Sequence, residues 1–384
     1  MSSALDGGAW GAIARPVPLL DLHERLGATP GEFAGFVVPM DYGSVFEEHM
    51  AVRTSAGVFD LSHMTLIRAR GPGAEELLEL LVPRSLERGA EGVIVGPTAF
   101  LNEGGGIKDD VMIYELGPGD FLVVGNAINL EKDREWLVSN ARSRSLDVNV
   151  EVLNGNYCLL ALQGPSSAEI AERLSDGLSQ LKRLTFEVGR SVGGFETLVT
   201  SRSGWTGEDG FEFVLKCSTA RGLFEELRRA GARPCGIASR DTLRLEMGYV
   251  LYEQDIDESI SPVEARYWAV FELGKVRRGE CIGCDALLER LRRGAERVRV
   301  GVKLGRGEKL VPRRGSRILV ESETVGVVTS GGYSPVLGRP IAMGYARASH
   351  ALIGLEVEIE ARGRRARGKI PDFPFVEARV KAPK

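Results

Sequence analysis

The strongest constraint on the fold is a change in sequence pattern near Gly294. Before this residue, strand-like and helix-like segments alternate, and turns rich in acids and glycine separate them. This alternation predicts a mixed α+β architecture in which antiparallel sheets carry flanking helices. After this residue, short strand-like segments separated by glycine and proline predict a small all-β domain. The predicted strands of this domain are residues 298–304, 317–320, 325–329, 341–345 and 355–359.

The length and composition indicate a globular protein with several domains. A chain of 384 residues exceeds the roughly 250–300 residues at which a single hydrophobic core stops growing, so we expect two or three domains. No apolar run approaches the roughly 20 residues that a membrane-spanning helix needs. Residues 1–15 lack the long apolar core of a secretory signal. We therefore predict a mobile N-terminal extension on a cytoplasmic protein that has no membrane partner.

The cysteines and histidines predict neither a disulfide framework nor a metal site. Five cysteines are too few to form such a framework in a chain of this length. Cys281 and Cys284 form one CxxC motif, but no second pair accompanies it, and the four histidines are scattered. Because a zinc site needs about four ligands, we expect no metal. We interpret the motif as a turn that opens a helix near Asp285.

The charge is distributed unevenly along the chain. Residues 281–384 contain 21 Lys and Arg against 11 Asp and Glu, a net charge of +10, whereas the whole chain has a net charge of −4. This asymmetry predicts an anionic partner or ligand near the C-terminal part. Nucleic acid is the weaker interpretation, because no helix–turn–helix pattern or basic segment rich in aromatics is present. An acidic protein partner and a polyanionic cofactor both remain open.

The segment from Gly104 to Tyr114 is the strongest local motif. Three consecutive glycines predict a hairpin loop, and the following residues predict a strand. Asp109 and Asp110 lie at the start of that strand. Because successive strand residues point to opposite faces, only one of the two acids can face a given cavity. Such a carboxylate is a candidate to move a proton or to orient a substrate, although a solvated turn would explain the motif taken alone.

Two later segments combine glycine, acids, arginine and aromatics in ways that packing alone does not require. Residues 204–212 end in Glu212, which begins a predicted strand that could bring its carboxylate into a cavity. Residues 239–246 predict a helix whose N-terminal region presents Arg240. Arginine is always charged and binds planar acceptors through two parallel hydrogen bonds. Arg244, one turn further along this helix, is interpreted as structural.

Together these motifs resemble those of the aminomethyltransferase (T-protein) family of the glycine cleavage system and its folate-dependent relatives. The resemblance runs from about residue 18 to about residue 375, and its dozen elements occur in the family's order. These elements include residues 59–64, 101–110, 161–165, 204–212, 240–246 and 329–335. Each is weak alone, but their order makes a chance match untenable.

The resemblance implies three domains arranged as a cloverleaf around a central folate pocket, with a small C-terminal β-barrel. We expect one discontinuous α+β domain formed by residues 1–55 and 145–235, and a second that carries the folate pocket and comprises residues 56–144 and 236–290. Residues 291–384 are expected to form the barrel.

The implied reaction starts from the aminomethyl group on the lipoyl arm of H-protein. The methylene carbon passes to tetrahydrofolate, and ammonia and the dihydrolipoyl arm are released. Lipoylated H-protein and tetrahydrofolate are therefore the expected partner and acceptor substrate.

The resemblance also assigns individual residues. Asp110, the second acid of the pair, matches the family's key carboxylate, which is expected to orient the folate and to assist proton movement. Trp205 stands where the family usually has tyrosine. The residues expected to bind tetrahydrofolate are Glu212, Arg240, Met64, Asn126 and Trp205.

Two other functions remain open at this stage. One is a different tetrahydrofolate-dependent C1 transferase that demethylates a small methyl donor. The other is a folate-binding accessory protein without catalytic turnover, although proteins of that class usually keep less of the paired-acid motif than this chain does.

Overall fold

The computed structural model describes residues 14–87 and 89–379. Residues 1–13, most of the predicted N-terminal extension, lie outside the described residues. The strands, numbered in chain order, are β1 (Arg15–Pro16), β2 (Thr29–Phe33), β3 (Phe36–Asp41), β4 (Gly57–Asp60), β5 (Thr65–Arg70), β6 (Val95–Leu101), β7 (Ile107–Gly117), β8 (Asp120–Gly125), β9 (Asn149–Val152), β10 (Tyr157–Gln163), β11 (Phe186–Val188), β12 (Ser191–Val192), β13 (Phe195–Ser201), β14 (Gly210–Lys216), β15 (Arg233–Pro234), β16 (Arg297–Leu304), β17 (Arg317–Val320), β18 (Glu323–Ser334), β19 (Arg339–Arg347), β20 (Glu356–Ala361) and β21 (Arg364–Lys369).

The helices precede or connect these strands. In chain order they are α1 (Leu20–Arg25), α2 (Val45–Thr54), α3 (Ala74–Leu81), α4 (Leu130–Ser143), α5 (Ser167–Leu174), α6 (Cys217–Arg229), α7 (Ile237–Met247), α8 (Leu273–Arg278) and α9 (Cys284–Arg293). The helix α6 shows why these segments fold as they do. Its buried residues Ala220, Leu223, Phe224 and Leu227 recur at helical spacing, so one face packs against the hydrophobic core.

Three sheets form the part of the molecule before Gly294. A three-stranded sheet has the order β1-β3-β2. A seven-stranded sheet has the order β11-β13-β14-β10-β4-β15, with β12 paired to β13, and a five-stranded sheet has the order β6-β7-β8-β5-β9. Their pairings are antiparallel except for β1 with β3 and β4 with β15, each of which spans two residues. The predicted α+β class with antiparallel sheets is confirmed, whereas the domain bounds remain a prediction.

The C-terminal part closes into a barrel with the strand order β16-β19-β18-β17-β20-β21. The five strands predicted after Gly294 are all present, and the predicted C-terminal barrel is confirmed. The sequence pattern did not predict β21, because Ala366 is its only buried residue and its other side chains are charged or absent. Its sequence lacks the apolar alternation of a typical strand, and antiparallel hydrogen bonding to β20 and β16 holds it in the barrel.

Four of the five cysteines form disulfides, which corrects the expectation drawn from their number. Cys158 of β10 is bonded to Cys217 at the start of α6, and Cys281 is bonded to Cys284 at the start of α9. Cys235 is free and buried. The CxxC segment does open a helix as predicted, but its two thiols are joined to each other.

Candidate functional site

The glycine-rich hairpin positions the paired acids. In the loop between β6 and β7, the Asn102 N–H donates to the Gly106 carbonyl and the Gly105 N–H donates to the Asn102 carbonyl, both at 2.9 Å. Gly105 has a φ of +75°, which favours glycine. A β-carbon on Gly106 would lie 1.8 Å from the Glu258 carbonyl oxygen. The predicted hairpin is therefore confirmed, and it needs glycine for both conformation and space.

The two acids after the hairpin point to opposite faces of β7, as strand alternation requires. Asp109 is fully buried. Its carboxylate accepts hydrogen bonds from the backbone N–H of Asn126 (2.9 Å), from Nδ2 of Asn126 (2.7 Å) and from Nδ2 of Asn129 (2.6 Å). Asp110 is half-buried and lies on the other face. Its carboxylate, and not that of Asp109, is thus available to a ligand.

Asp110 lies between two hydrogen-bond donors. Its Oδ1 accepts from Nδ2 of Asn126 at 2.7 Å, and its Oδ2 accepts from the Tyr267 hydroxyl at 3.1 Å. Burial and the charge of Asp109 raise the pKa of Asp110 to about 7. A carboxyl group with this pKa can accept or release a proton near neutral pH.

One face of β7 leads from Asp110 to Glu212. Met112 and Tyr114 follow Asp110 on this face, and the four-residue step to Tyr114 spans about 14 Å at roughly 3.4 Å per residue. Burial and then the charge of Glu212 raise the pKa of Tyr114, which places the phenol beside that carboxylate. Glu212 lies in β14, and its Oε2 accepts from the Ser203 hydroxyl at 2.6 Å.

Arg240 lies in the first half of α7 and close to Glu212. The helix starts after Gly236, whose N–H donates to Oε2 of Glu48 at 2.7 Å. Burial lowers the pKa of Arg240, and the charge of Glu212 opposes this effect. Nη1 of Arg240 is buried, and no described residue accepts its hydrogen bond. Because an unpaired buried donor is costly, this nitrogen is suited to an acceptor atom of a ligand.

His63 lies near Arg240, and Met64 follows His63 in the chain. Burial lowers the pKa of His63 to about 4, the charge of Asp60 opposes this effect, and the charge of Arg240 adds to it. His63 is therefore neutral near pH 7. Met64 is partly buried and packs against the hydrophobic cluster that continues into the core.

Trp205 connects to Asp110 through two tyrosines. Its ring lies 4.6 Å from that of Tyr249, with an angle of 38° between the planes. Burial, the charge of Asp110 and, to a smaller extent, Tyr249 raise the pKa of Tyr267. Trp205 therefore contacts Tyr249, and Tyr267, which is affected electrostatically by Tyr249, donates its hydroxyl to Asp110.

Contacts, charge effects and chain neighbours together form one closed series. From Asp110 they lead through Asn126 to Thr65, whose Oγ1 donates to the Asn126 carbonyl at 2.9 Å. Thr65 adjoins Met64 in the chain. The ring, which we call the site ring, consists of Asp110, Asn126, Met64, His63, Arg240, Glu212, Ser203, Trp205, Tyr249 and Tyr267. Contacts, charge effects and chain adjacency thus connect all six residues that the sequence assigned, and their roles remain a prediction.

The sequence reasoning missed four members of the site ring. Tyr267 lies in a segment without regular secondary structure, so no periodicity distinguishes it from a surface aromatic. The adjacent Trp268 is 53% exposed and contacts the Phe271 ring. Ser203 adjoins the glycine-rich turn, and its position there was the only available signal. Tyr249 and His63 carried no pattern that implies a ligand.

The sequence matches known families along most of its length. Residues 19–275 match the GCVT N-terminal domain, and residues 297–377 match the glycine cleavage T-protein C-terminal barrel domain. The chain belongs to the glycine cleavage T-protein family. The family prediction and the predicted enzyme class, an aminomethyltransferase, are confirmed.

Relatives of this T-protein family member are similar over nearly their whole length. The probable aminomethyltransferase of Aeropyrum pernix is 42% identical over 366 residues, which cover 93% of this chain and 96% of the relative. The aminomethyltransferase of Halothermothrix orenii is 42% identical over 369 residues, which cover 94% and 100%. The crystal structure of the glycine cleavage system aminomethyltransferase T from Bartonella henselae superposes with a TM-score of 0.84 at 35% identity, covering 95% of this chain and 99% of that one.

The comparisons assign the chain to a family, but they assign no role to its individual residues. Within the described ranges, no helix is both long enough and apolar enough to cross a bilayer. The roles of the individual residues in the site ring remain predictions.

Proposed function

We propose that this T-protein family member transfers the methylene carbon of the aminomethyl group on lipoylated H-protein to tetrahydrofolate. The observation that carries the proposal is the site ring, in which one ionisable carboxyl group, a second carboxylate and an unpaired buried guanidinium N–H surround the same part of the fold. Family membership supports the choice of reaction. H-protein, tetrahydrofolate and the cytoplasmic location all remain part of the proposal.

The proposed reaction is a group transfer without oxidation or reduction. A nitrogen of tetrahydrofolate attacks the methylene carbon, and the carbon forms bonds to two folate nitrogens. The carbon–sulfur bond breaks and its electrons go to the lipoyl thiol, while the carbon–nitrogen bond breaks and ammonia leaves. The two protons lost by the folate nitrogens balance those gained by the thiol and the ammonia.

Asp110 is assigned the proton step. The attacking nitrogen must be held within about 3–3.5 Å of the carbon, and it must lose a proton as the bond forms. A pKa of about 7 leaves Asp110 able to take that proton at neutral pH. The hydrogen bonds from Asn126 and Tyr267 fix the orientation of the carboxyl group.

Glu212 and Arg240 are assigned to folate recognition. A reduced pterin presents adjacent N–H donors, which a carboxylate such as Glu212 can accept in a two-point contact. The buried Nη1 of Arg240 offers a donor that the protein leaves unpaired among its described residues, which suits a ligand oxygen. Met64, Asn126 and Trp205 supply apolar, amide and aromatic surfaces beside these groups.

The basic C-terminal part fits an anionic partner. Residues 281–384 have a net charge of +10, which suits an acidic lipoyl carrier, the glutamate tail of the folate, or both. Binding that depends on this charge is expected to weaken as the salt concentration rises.

The proposal is tested by mixing the protein with tetrahydrofolate and aminomethylated H-protein. We expect methylene-tetrahydrofolate and ammonia to appear in equal amounts. Normal folate binding without product from this donor would overturn the choice of donor and favour a C1 transferase that demethylates another compound. Folate binding without turnover on any methyl donor would favour an accessory protein.

A further inference from the structure

A second pair of carboxyl groups lies behind Asp110, on the opposite face of β7. Asp133 in α4 is fully buried, as is Asp109. A β-carbon on Gly125 would lie 2.5 Å from Oδ2 of Asp109 and 3.1 Å from Oδ2 of Asp133. The two carboxyl oxygens therefore both adjoin Gly125, where a larger residue would collide with them, and each acid affects the pKa of the other through a hydrogen bond.

Two buried carboxyl groups in contact cannot both ionise, so they share a proton. Asp109 accepts three hydrogen bonds from Asn126 and Asn129. In contrast, no described residue donates a hydrogen bond to either oxygen of Asp133. Burial and the charge of Asp109 raise the pKa of Asp133 well above its usual range. Because N–H donors stabilise a negative charge on Asp109 and none reaches Asp133, we infer that the shared proton is held by Asp133 and the negative charge by Asp109.

Other charged and titratable groups surround this pair from three elements. Lys132 lies beside Asp133 on α4, and burial lowers its pKa while both acids raise it. Lys108 and Asp110 on β7 and Tyr252 after α7 also interact electrostatically with the pair. Three further groups lie next to these and not next to the pair: Asp257 acts on Tyr252, Glu258 on the two lysines, and Tyr267 on Asp110. Lys108 and Lys132 both pair with Glu258, so their charges are already balanced in part.

Asn126 links the buried pair to Asp110. Its Nδ2 donates to Oδ1 of Asp109 and to Oδ1 of Asp110, both at 2.7 Å, which uses both hydrogens of the amide. The backbone N–H of Asn126 also donates to Asp109. The orientation of the amide, and with it the hydrogen bond to Asp110, is therefore determined by Asp109.

We propose that Asp133 is a positioning residue: its protonated carboxyl group donates a hydrogen bond to Asp109 and so holds the carboxylate–amide chain that orients Asp110. This inference rests on the proposed function only for the role of Asp110. A metal ion is the competing explanation for three neighbouring acids. No group of three or more His, Cys, Asp or Glu residues within 14–87 and 89–379 is arranged to hold one, and N–H donors occupy both oxygens of Asp109.

The test compares two substitutions of Asp133 with a control on the same helix. Asp133→Asn keeps a donor toward Asp109, whereas Asp133→Ala removes it. Asn140→Ala truncates another buried polar side chain two turns further along α4. For each variant we would measure kcat over a pH range, the KM for tetrahydrofolate and the melting temperature.

The proposal predicts that Asp133→Asn keeps the wild-type pH profile. In Asp133→Ala, Asp109 loses the hydrogen bond with Asp133 that lowers its pKa against the effect of burial. We expect the buried Asp109 to take up the proton itself, so that its charge no longer acts on Asp110. For Asp133→Ala we therefore expect the inflection of kcat to move to lower pH by about one unit and kcat to fall by about 10- to 100-fold through misorientation. The KM should change by less than about threefold. Asn140→Ala should alter only the melting temperature.

Two kinetic outcomes would overturn the proposal. One is an unchanged inflection in Asp133→Ala, which would leave Asp133 a merely structural residue. The other is an equal defect in Asp133→Asn, which would mean that an ionised carboxylate is needed at this position.

If Asp133→Ala fails to fold, an infrared difference spectrum between the wild type and Asp133→Asn tests whether Asp133 carries a proton. The wild type should show the stretch of a protonated carboxyl group on the alkaline side of the Asp110 inflection, and the variant should lack it. Absence of this band in the wild type would overturn the shared proton. The spectrum needs no substrate, so its result is independent of whether H-protein is the donor.

Discussion

Two arginines one turn apart on α7 have opposite surroundings. Arg244 donates to Asp241 Oδ1 (2.7 Å), the Tyr249 carbonyl (3.0 Å), Asp255 Oδ2 (2.7 Å) and Ser330 Oγ (3.0 Å), and it is almost completely buried. Arg240 has a charged neighbour in Glu212, but its Nη1 is buried without a partner among the described residues.

The pKa directions express the same contrast. Burial lowers the pKa of Arg244, but the acidic partners outweigh it and the net shift is upward, whereas the pKa of Arg240 is lowered because burial outweighs Glu212. A buried charge whose donors are all used connects elements of the fold: Arg244 joins α7 to the barrel strand β18. A buried charge with an unused donor costs stability and is available to a ligand. The comparison teaches that donor saturation, and not burial or residue type, separates the structural arginine from the one assigned to binding.

The largest expected effect is a loss of turnover on substitution of Asp110, the acid that is assigned to catalysis. Asp110→Asn keeps the shape of the side chain but removes the group that titrates at about pH 7. We expect kcat to fall by roughly 10²–10⁴-fold, with the melting temperature and folate affinity close to wild type. Asp120→Asn in β8, which affects an ion pair with Arg68, is the matched control and should retain full turnover. Unchanged turnover in Asp110→Asn would remove its catalytic assignment.

The saturated arginine should matter for stability. Arg244→Ala leaves Asp255 buried without its cationic partner, and breaking a buried pair in this way costs about 3–5 kcal/mol. Chemical denaturation measures this loss in the free energy of unfolding. A loss below about 1 kcal/mol, the range of exposed ion pairs, would contradict the structural role of Arg244 and so its contrast with Arg240.

The unsaturated arginine should matter for binding. Arg240→Ala removes a charged hydrogen bond to the ligand, which is worth about 1.5–3 kcal/mol, so we expect the affinity for tetrahydrofolate to fall about 10- to 150-fold. The free energy of unfolding should change little, since no described hydrogen bond of Nη1 is lost. Calorimetric titration beside Arg244→Ala is the measurement. A variant that is destabilised like Arg244→Ala yet binds folate normally would reverse the assignment of the two residues.

The smallest effect is the pH dependence near neutrality. The pKa of Asp110 is about 7 in the folded protein and about 4 in the unfolded chain. Turnover should rise as the pH increases through about 7, because the base form becomes populated. The contribution of Asp110 to stability has the opposite sign: it is fully present below about pH 4 and is lost as the pH rises to about 7.

His63, with a pKa of about 4, stays neutral over this range and does not explain such an inflection. A flat profile of kcat between pH values on either side of 7 would contradict the assignment. The residual activity of Asp110→Asn should lack the inflection, which separates this group from any other that titrates nearby.

The sequence by itself determined the local features of this protein. Glycines 104–106 specified a hairpin, alternation along β7 specified that Asp109 and Asp110 face apart, and the pattern after Gly294 specified short strands. These features depend on residues within a few positions of one another, where backbone conformation and side-chain periodicity are set. The order of the motifs then indicated Asp110, Glu212 and Arg240.

The tertiary structure alone decided which distant groups meet. It placed the Tyr267 hydroxyl on Asp110 across 157 positions, paired Cys158 with Cys217, and brought Asp133 against Asp109. It also left one donor of Arg240 unpaired while it saturated Arg244. No local pattern encodes these outcomes, because the pKa of a buried group and the satisfaction of its hydrogen bonds depend on partners that only long-range packing selects.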